Sequence, residues 1–202
     1  MEKIIILNGS PRAPKSNSKG YAYLFSKYSK FTTQYFDITK TNHKELCSKM
    51  NEFSDVLFVF PLYADSLPVT LLNFLKTLEK NPPKNKPVVS MIINCGFIES
   101  RQNDIAVKMI KLFCKQNGYS FGSVLKIGSG EAILDTPFKF LVERKIKKIA
   151  ECVCEKKHKT LKVTMPLPKR TFISASTKFW LEYGQKYGVT REEMDTMEIE
   201  SL

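Results

Sequence analysis

The sequence predicts a doubly wound α/β fold, in which a parallel sheet is covered by helices on both faces. Short, uninterrupted apolar runs recur along the chain, which is typical of strands buried on both sides. Segments with apolar residues three and four positions apart separate these runs, so that strands alternate with helices five times. The length of 202 residues fits one main domain.

The first half of the chain supplies three of the predicted strands. In order, we expect a strand at 3–8, a helix at 18–30, a strand at 33–38, a short helix at 43–53, a strand at 56–60 and a helix at 67–80. The last helix is well defined because Pro68 lies in its first turn, where the missing N–H is tolerated.

The second half continues the alternation and then changes character. We expect a strand at 88–94, a loop at 95–100, a helix at 102–116, a strand at 119–128, a glycine-containing loop at 129–138 and a helix at 139–157. Residues 160–168 look irregular, and 171–187 look like an aromatic-rich helix. These patterns predict a domain at 1–160 and a helical extension at 161–202, packed on that domain or on a dimer partner.

Charge and cysteine content narrow the possible functions. The net charge of +12 favours anionic partners, and residues 139–170 hold eleven basic residues against three acidic ones. No stacking aromatics are interleaved with these lysines, so we interpret them as a solvated face rather than a nucleic-acid site. The five cysteines are scattered, which argues against a disulfide scaffold and against a zinc site. No run is apolar enough to span a bilayer and the N-terminus resembles a strand, so we expect a cytoplasmic protein.

The loop after the first strand has the composition of an anion site. It places Ser10, Arg12, Ser16, Asn17 and Ser18 just before a helix N-terminus, with no carboxylate among them. A phosphate monoester fits this set, although an ordinary turn with a serine helix cap is an equally good interpretation of the loop alone. Neither the dinucleotide-binding nor the P-loop glycine pattern is present, and the loop has no nucleophilic cysteine.

Two further loops fall at the same edge of a doubly wound sheet, where ligands bind. The loop after the third strand, PLYADSLP, carries an aromatic and several apolar residues. The loop after the fourth strand, NCGFIE, combines a glycine with another aromatic. These features indicate a flat hydrophobic ligand or a partner surface, although each aromatic could simply pack against its own loop.

Together, NGSPR…SNS and PLYADSLP resemble the NAD(P)H-dependent FMN reductase family of flavodoxin-like proteins over residues 3–157. The resemblance implies a three-layer fold with a five-stranded parallel sheet in the order 2-1-3-4-5, noncovalent FMN, NADH or NADPH as reductant, and a homodimer. It implies that the phosphate ligands are Ser10, Arg12, Ser16, Asn17 and Ser18. It also implies that the ring lies between two groups: Pro61, Leu62, Tyr63, Ala64, Asp65 and Ser66 on one side, and Asn94, Cys95, Gly96, Phe97 and Glu99 on the other.

Two departures from the family pattern qualify these expectations. The third-strand loop has no cysteine cluster, which disfavours the iron–sulfur branch of the family. A carboxylate at Asp65 would oppose a reduced, anionic flavin, so we expect its side chain to point away and to cap the helix that begins near Pro68.

The expected activity is hydride transfer from NAD(P)H to bound flavin and then to an acceptor such as free flavin or a quinone. That chemistry needs no protein acid or base, so no catalytic residue is predicted. Two alternatives remain open. One is an electron carrier, although such carriers are usually acidic; the other is a noncatalytic module that binds an acidic partner through the helix at 139–157.

Overall fold

The computed structural model describes residues 2–13 and 15–196. The strands are β1 (Lys3–Asn8), β2 (Thr32–Asp37), β3 (Asp55–Pro61), β4 (Val88–Asn94), β5 (Phe121–Ile127) and β6 (Thr160–Val163). The helices are α1 (Asn17–Tyr28), α2 (His43–Lys49), α3 (Val69–Lys80), α4 (Asp104–Asn117), α5 (Lys139–Cys154), α6 (Lys169–Lys186) and α7 (Arg191–Thr196).

The strands form one sheet in the order β2-β1-β3-β4-β5-β6, and every neighbouring pair is parallel. The parallel, doubly wound architecture is therefore confirmed, but the prediction of five strands is wrong. The sixth strand is Thr160–Val163, which lies in a segment predicted to be irregular. It is a short edge strand with exposed Thr160 and Lys162, so it lacks the continuous apolar run that identifies an interior strand.

Alternate residues of the central strands enter two separate layers of core. Ile5, Phe58 and Phe60 belong to a cluster that also contains the buried faces of α2, α3 and α4. Helix α3 contributes Leu71, Phe74, Leu75 and Leu78 to the core. On the opposite face, α1 and α5 pack together and cover the sheet. This two-sided burial leaves the strand ends and their loops as the place for polar chemistry.

The chain divides into two compact units after Met165. The first contains the whole sheet, including β6, and so extends beyond the predicted boundary at residue 160. The second contains α6 and α7. The prediction that this extension packs on the domain or on a dimer partner stays a prediction. Among the residues that the structure describes, no helix is both long and apolar enough to cross a membrane.

Candidate functional site

A cavity of about 320 Å³ opens at the carboxyl edge of the sheet, between the loops that follow β1, β3, β4 and β5. Its size lies within the range of small-molecule sites, roughly 300 to 1,000 Å³. Its lining combines hydroxyls, cations and an apolar wall: Ser10, Pro11, Arg12, Lys15, Ser16, Asn17, Ser18, Pro61, Leu62, Tyr63, Asn94 and Glu131. All five predicted phosphate ligands are therefore at the cavity.

The positive end of this cavity is the start of α1. Ser16 is the N-cap of the helix, and its hydroxyl accepts a hydrogen bond from the Lys19 amide at 3.3 Å. No acidic residue lies in the first turn, and both Arg12 and Lys15 are exposed beside it. Because helix N-termini carry partial positive charge and free amides, this end of the cavity favours an anion.

The loop between β1 and α1 is shaped by a buried asparagine. The Ser10 amide donates to Asn8 Oδ1 at 3.0 Å, and the Arg12 amide donates to the Ser10 hydroxyl at 3.3 Å. Asn8 Nδ2 in turn donates to Asp37 Oδ1 and to the Tyr35 hydroxyl, both at 2.9 Å. Two loop amides are thus used internally, so an anion here would be held by side chains and by the α1 N-terminus.

Two of the predicted phosphate ligands hold neighbouring loops together. Asn17 Nδ2 donates to the carbonyl oxygens of Gly130 at 3.0 Å and Glu131 at 2.8 Å. The Ser18 hydroxyl is buried and accepts a hydrogen bond from Asn94 Nδ2 at 3.1 Å. Both side chains are therefore already engaged, and they fix the position of the cavity wall.

The loop after β3 ends in a tight turn. Tyr63 and Ser66 exchange backbone hydrogen bonds at 3.0 and 2.9 Å, and the two central residues, Ala64 and Asp65, have φ values of 46° and 55°. This left-handed backbone is strained for residues other than glycine, and such strain is commonly found at ligand sites. The preceding part of the loop lines the cavity, and Tyr63 is 53% exposed there.

The turn itself lies outside the cavity lining. Ala64 and Asp65 are exposed at its tip, and the Ser66 hydroxyl donates to Met109 Sδ at 3.3 Å. Helix α3 begins at Val69 with Pro68 at the N-cap and no side-chain cap. The prediction that Asp65 caps this helix is therefore wrong, because the N-cap position is occupied by a proline, which has no polar side chain.

Of the residues predicted in the loop after β4, only Asn94 lines the cavity. The Cys95 thiol is buried against the carbonyl of Phe97, and burial raises the pKa of this thiol to about 11. Gly96, Phe97 and Glu99 lie outside the lining, and Phe97 is 52% exposed. A protonated, buried thiol is a packing group and not a nucleophile.

Comparisons with known proteins identify the architecture. No family model and no curated protein sequence matches the chain. Among solved structures, the FMN-dependent NADH-azoreductase from Bacillus anthracis strain Ames Ancestor, in complex with FMN, matches with a TM-score of 0.57 and 13% identity, over 76% of this chain and 99% of that one. The flavodoxin of Streptococcus pneumonia TIGR4 matches with a TM-score of 0.57 and 12% identity, over 77% of this chain and 99% of that one.

The chain has a flavodoxin-like fold. Rubredoxin oxygen:oxidoreductase from Desulfovibrio gigas also matches, with a TM-score of 0.60 and 11% identity over 77% of this chain. This chain spans only 36% of that longer protein.

The loop after β5 also borders the cavity, through Glu131, although no site role was predicted for it. The Tyr21 hydroxyl donates to the Gly130 carbonyl at 2.7 Å, and burial raises the pKa of Tyr21. A Cβ atom at Gly130 would lie 2.7 Å from the Asn94 Cβ, so only glycine fits there. The Glu131 carboxylate lies 3.3 Å from where a Cβ of Gly96 would be. Two glycines close together after the interior strand β5, Gly128 and Gly130, are the sequence feature that could have predicted this loop.

Proposed function

We propose that this protein binds FMN noncovalently in the cavity and uses it to transfer electrons from NADH or NADPH to a small acceptor. The observation that carries the proposal is the division of one cavity into two chemical halves. One half is the α1 N-terminus with Ser16, Arg12 and Lys15; the other is the wall formed by Pro61, Leu62 and Tyr63. FMN has the same two parts, a terminal phosphate and a planar ring system.

The donor set fits a phosphate monoester. The Arg12 guanidinium can form paired hydrogen bonds to phosphate oxygens, and Lys15 adds a second positive charge beside the helix end. The acidic side chain in the lining, Glu131, lies instead over Gly96 in the loop after β4. The positive charges proposed to bind the phosphate therefore lie in the loop after β1, whereas the negative charge of the cavity lies in the loop after β5.

The apolar half fits a planar ring. The Tyr63 side chain is exposed next to Pro61 and Leu62, and a ring packed against these residues would be shielded from water on that side. When bound, FMN supplies the acceptance of hydride and the onward transfer of electrons. The residues of this chain bind and orient it, and they need no general acid or base.

Two further observations support the proposal. The fold is shared with proteins that include an FMN-dependent NADH-azoreductase and a flavodoxin. The net charge of +12 attracts the anionic nicotinamide nucleotides and argues against a carrier of the usual acidic kind. We therefore favour an oxidoreductase over an electron carrier and over a noncatalytic module.

The experiment is reconstitution followed by reduction. The full chain is mixed with FMN, and binding is measured by quenching of flavin fluorescence; the complex is then titrated anaerobically with NADH and, separately, NADPH. Binding with loss of the visible absorbance of the oxidised flavin is the expected result. Binding without bleaching would indicate a carrier instead, and absence of binding would overturn the proposal.

A further inference from the structure

The loops that follow β4 and β5 stay hydrogen-bonded to each other after the two strands end. The Gly130 amide donates to the Cys95 carbonyl at 2.7 Å. Further along, the Ser129 amide donates to the Phe97 carbonyl at 2.6 Å. We call residues 95–98 and 128–131 the paired loops. Because these bonds join the two loops at their backbones, the loops hold one position together.

The paired loops set one wall of the cavity. Asn94 immediately precedes them, Glu131 is their last residue, and both line the cavity. Gly130 lies directly against Asn94, because an added Cβ would come 2.7 Å from the Asn94 Cβ. Asn94 Nδ2 in turn donates to the Ser18 hydroxyl at 3.1 Å, so this wall is tied to α1. The position of the paired loops therefore decides where Asn94 and Glu131 stand in the cavity.

Ser129 gives the paired loops a strained point. Its φ of 54° lies in the left-handed region that disfavours residues other than glycine, and the residue is only 1% exposed. A conformation of this kind persists only where surrounding groups hold it. The Ser129 hydroxyl lies 3.1 Å from the hydroxyl of Thr164, which comes from outside the paired loops. The support for Ser129 thus includes a contact with the segment that follows β6.

Thr164 directly follows the edge strand β6 and contacts both loops. Its hydroxyl donates to the Ile98 carbonyl at 2.6 Å, and since a hydroxyl carries one proton, Ser129 must be the donor between the two hydroxyls. Gly128 lies between these groups: an added Cβ would come 2.5 Å from the Ile98 oxygen and 2.9 Å from the Thr164 hydroxyl. One side chain after β6 therefore holds the loop after β4 against the loop after β5.

The register of β6 places Thr164 at this point. Val163 pairs with Ile127, the last residue of β5, and the Gly128 amide donates to the Val163 carbonyl at 2.8 Å. Val163 is also the one buried residue of β6. The strand thus adds little to the core, while its register carries Thr164 to the level at which the loop after β5 begins.

We propose that Thr164 is a positioning residue for the cavity, whose hydroxyl holds the paired loops together and so fixes the wall formed by Asn94 and Glu131. Removal of this hydroxyl leaves the Ile98 carbonyl and the Ser129 hydroxyl without their shared partner, which lets the paired loops open locally. The effect on FMN rests on the function proposed above, whereas the contact that holds the loops does not.

The contact is tested first without a ligand, through the thiol of Cys95. This thiol is buried in the paired loops against the Phe97 carbonyl, so it reacts with a small thiol reagent only when the loops open. Thr164→Val keeps a branched side chain and removes the hydroxyl. We expect labelling of Cys95, followed by mass spectrometry of its peptide, to become at least about fivefold faster in this variant. Thr164→Ser, which keeps the hydroxyl, should label at the wild-type rate.

The urea dependence of labelling separates local opening from a general loss of stability. Cys114, buried in α4, is the reference for global unfolding. A local opening exposes little surface, so labelling of Cys95 in Thr164→Val should be almost independent of low concentrations of urea, whereas labelling of Cys114 should accelerate. Labelling of Cys95 that is unchanged in Thr164→Val, or that follows urea as steeply as labelling of Cys114, would overturn the proposal.

The second measurement is the affinity of the same variants for FMN. Thr164→Val should raise the FMN dissociation constant by roughly 3- to 10-fold, and Thr164→Ser should restore the wild-type value. Thr160→Val, at an exposed threonine of β6, is the matched control and should change neither measurement. Unchanged FMN affinity together with faster labelling of Cys95 would overturn the positioning role. If the wild type does not bind FMN, the proposed function fails, and labelling alone decides whether Thr164 holds the paired loops.

Discussion

Replacing Arg12 with alanine is the sharpest test of the phosphate half of the cavity. The Arg12 side chain is exposed at the cavity wall, and it has no ion-pair partner among residues 2–13 and 15–196. Its guanidinium is therefore available to a ligand, and its removal leaves no buried group without a partner. We expect the free energy of unfolding to change by less than about 0.5 kcal/mol.

The same change should have a large effect on FMN binding. A hydrogen bond to a charged group contributes about 1.5 to 3 kcal/mol, so the dissociation constant should rise by roughly 10- to 150-fold. Lys15 and the α1 N-terminus remain, so binding should weaken rather than disappear. Fluorescence quenching of FMN by the protein, at low and moderate salt, measures the affinity directly.

Arg144→Ala is the matched control for long-range charge. Arg144 is exposed on α5, away from the cavity lining, and its removal lowers the net charge by the same amount. If the two variants bind FMN equally well, Arg12 acts only through the overall field of the protein. Equal affinity of Arg12→Ala and the wild type would remove Arg12 from the site.

Three other predictions concern packing and charge. Lys156→Met should destabilise the protein by about 2 to 4 kcal/mol in urea unfolding, because Lys156 Nζ lies 2.6 Å from Asp55, whose side chain is 1% exposed. Lys157→Met is the control: it removes the exposed ion pair with Glu155 and should cost less than about 1 kcal/mol. Equal losses of stability in the two variants would contradict the reasoning. Gly130→Ala should lower the melting temperature and also weaken FMN binding, because the added alanine Cβ would lie 2.7 Å from Asn94 Cβ. A variant with the melting temperature and the FMN affinity of the wild type would refute this close contact. Burial raises the pKa of the Cys47 and Cys95 thiols to about 11 and that of the Cys114 thiol to about 12. These thiols ionise above about pH 9 in the unfolded chain but stay protonated in the fold, so the free energy of unfolding, measured by denaturant titration, should fall as the pH rises above about 9. A flat profile between pH 9 and 11 would contradict that assignment.

The interior strands of the fold were predictable because burial on both faces requires an uninterrupted run of apolar residues in the sequence. The strands β1, β3 and β4 are runs of residues with almost no exposure, and each was predicted within one or two residues. Strand β6 gives no such signal, because it pairs on one side only and carries exposed polar residues. Edge strands are stabilised by backbone pairing with a neighbour, which a local pattern of side chains does not encode.

The position of the cavity was predictable, but the orientation of the side chains around it was not. The rule that ligands bind beyond the carboxyl ends of parallel strands correctly brought three loops together. Whether a loop residue faces the cavity depends on hydrogen bonds to distant parts of the chain. Cys95 turns inward because its amide pairs with Ile127 and its thiol meets the Phe97 carbonyl. Asn17 is engaged with the loop after β5, more than a hundred residues away.

The buried Asn8 network changes how the anion site should behave. The Ser10 and Arg12 amides point into the loop, so the proposed attraction for phosphate rests on the exposed cations Arg12 and Lys15 and on the end of α1. Exposed cations are screened by salt over about 8 to 10 Å, whereas enclosed amides are screened much less. Affinity for FMN should therefore fall clearly between low and moderate ionic strength, and that dependence should be smaller in Arg12→Ala. A dependence that is the same in both proteins would indicate that backbone amides hold the phosphate after all, which would require the Asn8 network to rearrange on binding.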